Sequence, residues 1–95
     1  MIERHVTFQI IPGKEEAFEQ LFRDEYRPAM AAAPGFIKAE LLRAQDDPNQ
    51  YQMVIRFATK EQAAGWRAST PHEMLRPKLK MLYEKSRLEV YEVVL

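Results

Sequence analysis

The stretch FIKAELLRAQDDPNQYQMVIRFA, residues 36–58, decides the fold. It holds two runs of strand-forming residues, 36–43 and 51–58, separated by the turn cluster Asp46-Asp47-Pro48-Asn49. In the second run Met53, Ile55 and Phe57 stand at every second position, so they share one face of a strand. A polar loop this short joins neighbouring strands, and the two runs are expected to pair as an antiparallel hairpin.

N-terminal to the hairpin, residues 3–11 alternate as well, with Val6, Phe8 and Ile10 on one side and His5, Thr7, Gln9 and Ile11 on the other. Pro12-Gly13 ends this strand. From Lys14 the period lengthens. Phe18, Leu21, Phe22, Tyr26, Ala29 and Met30 recur at steps of three or four and share a helix face. Glu15 and Glu16 suit its first turn, where the helix dipole favours negative charge. Pro28 is expected to kink it and Pro34-Gly35 to close it.

C-terminal to the hairpin, Thr59-Lys60-Glu61-Gln62 fits a capping box and predicts a short helix through Trp66. Thr70-Pro71-His72-Glu73 fits a second, with Thr70 as cap and Pro71 as first helical residue. Met74, Leu75, Leu79 and Leu82 then form an apolar stripe, interrupted and kinked at Pro77, and 87–94 reads as a last strand.

The order is β-α-β-β-α-β, an α+β ferredoxin-like arrangement in which an antiparallel sheet carries helices on one face. Residues 1–95 read as a single domain. Ile11, Val54, Tyr91 and Val93 fall opposite the main apolar sets, so the second sheet face also needs cover. A second copy of the chain would supply it, as a homodimer.

Composition narrows the functional classes. With 14 Lys and Arg against 14 Asp and Glu, the formal charge is zero and no basic stripe suggests nucleic acid. The absence of cysteine excludes disulfides, thiolate metal sites and thiol nucleophiles. No apolar run approaches a membrane span, and Met1-Ile2-Glu3-Arg4 lacks the order of a signal peptide, so the expected location is the cytoplasm. The two histidines have neither His-x-x-x-His nor carboxylate spacing, and no metal is expected. Phosphate-binding loops, a serine elbow and a dinucleotide fingerprint are all missing.

The sequence IPGKEEAFEQLF, then APGFIKAELLRAQDDPNQYQMVIRF, then TKEQAAGWRASTPHEML, resembles the antibiotic biosynthesis monooxygenase family. The resemblance spans nearly the whole chain. It implies a dimeric α/β barrel with a ligand pocket between the helices and the sheet of each subunit. It also implies one of two activities: oxygenation of polycyclic phenols to quinones without a cofactor, or oxidative breakdown of haem. Quinone-forming members match at Trp66, with an Asn four residues before it and a Tyr six after, where this chain has Gln62 and His72. Haem-degrading members also match at Trp66. They place an Asn in the first strand and an iron-ligating His about ten residues past the Trp, where this chain has Val6 and Arg76.

The reading adopted on this basis is a cofactor-independent monooxygenase for an apolar, aromatic phenol. The alternatives are a haem-binding or haem-degrading protein and a non-enzymatic dimeric small-molecule binder. His72, Trp66 and Gln62 are the expected catalytic set. His72, at a helix start where the dipole disfavours imidazolium, is a neutral base for a phenol; otherwise it is a solvated helix-start residue. Trp66 walls an aromatic pocket, or is a core residue holding a short helix to the sheet. Gln62 orients a substrate oxygen, or simply completes the capping box with Thr59. His5, Tyr26 and Arg56 are candidate substrate contacts if they face inward. Trp66 and His72 would project about 120° apart on an unbroken helix. A break between them is therefore expected, with both rings bordering one cavity.

Overall fold

The computed structural model describes residues 1–95. Its elements are β1 (Ile2–Ile10), α1 (Glu15–Leu21), a π-helical turn (Phe22–Tyr26), α2 (Arg27–Ala31), β2 (Phe36–Arg43), β3 (Gln50–Phe57), α3 (Lys60–Arg67), α4 (Thr70–Lys80) and β4 (Tyr83–Glu92). The strands form one antiparallel sheet in the order β2-β3-β1-β4, so the fold is the ferredoxin-like α+β arrangement. No helix is long and apolar enough to cross a membrane.

One sheet face and the helices enclose the core. Phe8, Ile10, Met53, Ile55 and Phe57 come from alternate strand positions, and Phe18, Met30 and Trp66 from the helices. The hairpin register sets Ala39 opposite Ile55 and Leu41 opposite Met53, which keeps the apolar set of both strands inward. Tyr51 extends this set and donates its hydroxyl to Glu19 at 2.5 Å, tying the hairpin to α1.

The structure departs from the sequence expectations at several points. The first helix is not one kinked rod but three pieces. The amide of Arg27 bonds back to the carbonyl of Phe22, a five-residue step, just before Pro28. A wider turn there accommodates a proline that has no N–H and would otherwise crowd the preceding turn. The cap of α4 is Ser69 rather than Thr70, and Pro71 is the second helical residue. The Ser69 hydroxyl accepts from the His72 amide at 3.4 Å and donates to the Trp66 carbonyl at 2.6 Å, joining the end of α3 to the start of α4. α4 then runs through Pro77 without a break. Its apolar stripe is Leu75, Leu79 and Leu82 alone, because Met74 points outward at 70% exposure.

β1 stops at Ile10, where its pairing with β4 shifts register, and β4 begins four residues earlier than its alternation suggests. The sheet face away from the helices is largely polar rather than apolar. Glu3, His5, Thr7, Gln52 and Arg56 interact across it, with Leu42, Val54 and Tyr91 as apolar islands.

Candidate functional site

α3 ends at Arg67, and the chain turns through Ala68 and Ser69 into α4. This is the break that a shared Trp66–His72 site requires. It brings the two rings together edge to face, with centroids 5.3 Å apart. Tyr26, delivered by the π-helical turn, completes the cluster. Its ring meets Trp66 at 5.7 Å with the planes at 90°, and His72 at 6.2 Å. Three of the candidate residues are therefore in mutual contact.

The cluster does not border a single void. It stands as a wall between two. On one side, a largely apolar cavity of about 470 Å³ lies between α2 and α3, lined by Ala33, Gln62, Trp66 and Pro71 among others. On the other, a cavity of about 380 Å³ lies between α4 and the inner faces of β1 and β4, and it is lined by Tyr26 and His72. The largest concavity, about 760 Å³, is a groove of mixed polar and apolar lining between the first helix and the hairpin, and it holds none of the candidate residues.

Two buried side-chain polar atoms have no hydrogen-bond partner: His72 Nδ1 and Gln62 Oε1. Buried polar groups are nearly always paired, so an unpaired one points to strain or to an absent ligand. The backbone amide of Gln62 does bond Thr59 Oγ1 at 3.1 Å, as the capping box requires. Its side chain does not reach back to complete the box. It lies instead against Gly35, whose φ is +82°.

Burial holds His72 below its ordinary pKa; Glu73 opposes the shift, while Arg67, Arg76 and Arg4 reinforce it. Burial and the neighbouring cations therefore favour the neutral imidazole. Burial pushes the Tyr26 phenol up, against the opposing influence of Arg4 and the Trp66 indole.

His5 and Arg56 lie on the opposite face of the sheet. His5 bonds Glu3 at 2.8 Å, and Arg56 donates to the same carboxylate from both Nε and Nη2. They take no part in either cavity.

Arginines at positions 4, 67 and 76 line the cavity beside His72 and were not among the expected site residues. Arg4 carried a legible signal, since it belongs to the inward-facing set of β1 with Val6, Phe8 and Ile10, where a cation is unexpected. No three His, Cys, Asp or Glu side chains gather in a way that could hold a metal ion.

The match to known families settles the identity of the domain: the antibiotic biosynthesis monooxygenase model aligns with residues 1–77. The chain belongs to the antibiotic biosynthesis monooxygenase family. Similar solved structures share the fold at low sequence identity. A Nitrosomonas europaea protein described under the same family name is 20% identical, with TM-score 0.88 and all of both chains covered. SnoaB from Streptomyces nogalater, a cofactor-independent oxygenase, is also 20% identical with TM-score 0.88, covering 99% of this chain and 93% of its own. A Bordetella bronchiseptica protein, again under the family name, is 23% identical with TM-score 0.87, covering 99% and 97%. No curated protein matches the chain in sequence. The match to the family model ends within α4. β4, which completes the sheet beside β1, follows it.

Proposed function

We propose that this family member is a cofactor-independent monooxygenase that oxidises an aromatic phenol, with His72 as its base. The observation that carries the proposal is a neutral imidazole, in contact with two aromatic rings, whose buried Nδ1 has no partner. His72 removes the phenolic proton, and the electron-rich anion reacts with dioxygen at a ring carbon bearing hydrogen. The peroxide collects the proton from His72 and loses water to leave a quinone carbonyl. One oxygen atom enters the product and the other leaves as water, with all electrons drawn from the substrate. Tyr26 and Trp66 present aromatic edges against which a flat ring packs. Gln62, on the far side of Trp66, orients a substrate oxygen only if ligand reaches the second cavity.

Haem is the weaker reading. Arg76 stands where the resemblance places the iron ligand, and a guanidinium does not ligate iron. A homodimer is part of the proposal. Leu42 and Tyr91 on the outer face are each more than two-fifths exposed, and a two-fold contact across this face of the sheet would cover them.

The test is oxygen uptake by the purified chain with a hydroxyanthrone, with a chelator present and no flavin added. Quinone should form in step with the oxygen consumed, and His72→Ala should slow it by about a hundredfold or more. Undiminished turnover in H72A removes His72 from the chemistry. Failure of every phenol, together with a sharp Soret band on adding hemin, favours haem. Light scattering should give about twice the 11.2 kDa chain mass, and a monomer refutes the dimer.

A further inference from the structure

The chain is neutral as a whole, yet one cavity is not. Arg4, Arg67, Arg76 and Lys80 line the space beside His72, with Glu73 as the one acidic residue on its wall. None of these four cations forms an ion pair or a side-chain hydrogen bond; all such contacts in the chain involve other residues. The contrast is sharpest among the arginines. Arg23, Arg43, Arg56 and Arg87 each face a carboxylate, and Arg27 donates to the Ala39 carbonyl at 2.9 Å. The arginines left without a partner are the three that line this cavity.

Arg4 is the least expected of them. It sits mid-sheet on the inner face of β1, paired across to Ile55 and Val90, and its charge is partly withdrawn from water. Burial and the nearby Arg67 charge both disfavour its cationic form. A buried guanidinium is costly unless an anion and its hydrogen bonds compensate. Nothing in the chain supplies that anion. Val6, Phe8, Met53 and Leu79 give the wall an apolar stretch, beside the hydroxyls of Tyr26, Tyr83 and Ser86.

From this geometry we infer that the cavity binds an amphipathic anion, an aromatic carboxylate whose ring lies on the apolar wall and whose carboxylate is held between Arg4, Arg67 and Arg76. The guanidinium fork matches a carboxylate in bidentate fashion. A volume of about 380 Å³ suits a two- or three-ring molecule. The inference rests on the oxygenase reading in placing the phenol of the same ligand beside His72. The carboxylate then acts as the handle that sets which ring position faces the base.

The test uses calorimetric titration of the full chain with two probes that share one ring system and phenol: 1-hydroxy-2-naphthoate and 1-naphthol. The carboxylate should bind at least about tenfold more tightly, the scale of a charge-assisted bidentate contact. That preference should fall to about threefold or less in Arg4→Gln and in Arg76→Gln. Arg23→Gln, whose arginine is paired elsewhere, should keep it. If R4Q does not fold, the double variant R67Q/R76Q, on exposed helix positions, carries the test. Equal affinity for the two probes, no binding of either at millimolar concentration, or a preference indifferent to these arginines overturns the inference. Oxygen uptake separates the two proposals. Turnover of phenols without carboxylate preference removes the anion site alone. Arginine-dependent binding of the carboxylate, with no oxygen uptake by any phenol, removes the oxygenase alone.

Discussion

Replacing Gly35 with alanine should destabilise the domain through two separable effects. Gly35 has φ +82°, the left-handed region where an L-residue is disfavoured by about 1–2 kcal/mol. An added Cβ would also fall 2.3 Å from Cδ and 2.7 Å from Cβ of Gln62. The second distance involves the root of the side chain, so rotating the amide away is not enough, and α3 must shift against the β2 start. Relieving such overpacking typically costs a further ~1–3 kcal/mol. The expected total for G35A is about 2–5 kcal/mol, read from urea unfolding by far-UV circular dichroism. Gln62→Ala removes the two nearer contacts, with Oε1 and Cδ, and leaves the one with Cβ, so G35A/Q62A should recover about 1 kcal/mol relative to additivity. A G35A variant within about 0.5 kcal/mol of the parent, or strict additivity in the double variant, would falsify the packing of Gln62 on Gly35.

Other outcomes follow from the same geometry. Because folding depresses the His72 pKa, its contribution to stability is present above the unfolded value of about 6.5 and is lost as pH falls through the lower folded value. Urea midpoints between pH 5 and 8 should fall more steeply on the acid side for the parent than for His72→Gln; parallel curves contradict the shift. Ser69→Ala removes both the α4 cap and the tie to the Trp66 carbonyl, and should cost about 1–2 kcal/mol. A calorimetric melt indistinguishable from the parent would place the α3–α4 junction elsewhere. Glu3→Gln should loosen Arg56 and His5 on the outer sheet face while leaving oxygen uptake unchanged, and a loss of turnover would show that this face communicates with the site.

The parts of this fold that a sequence discloses are those with a period. Val6, Phe8 and Ile10 in β1, and Met53, Ile55 and Phe57 in β3, are inward sets by alternation alone, and all six pack in or against the core. Junctions are less legible because neighbouring residues compete for the same role. Ser69 and Thr70 are both good caps, and only the backbone, extended at Ser69 with ψ 154°, decides between them. The start of β4 is masked because Leu82 and Tyr83 continue the helical spacing of Leu75 and Leu79. The site was half legible. A restart between Trp66 and His72 was implied by their spacing and the capping signals. Which strand face lies under the helices was not, and His5 and Arg56 fell on the other side. The arginine cluster depends on residues at 4, 67 and 76, which only the docking of α3 and α4 over β1 brings together.

The five-residue step between Phe22 and Arg27 amounts to an ordinary helix carrying one surplus residue. Each residue turns a helix by about 100°, so deleting one position there would swing everything after it by that angle and leave everything before it in place. Phe18 and Leu21 would keep their seats in the core. Tyr26 would leave the Trp66–His72 cluster, and another side chain would take its place. The surplus residue in this one turn therefore sets which side chain the first helix presents to His72.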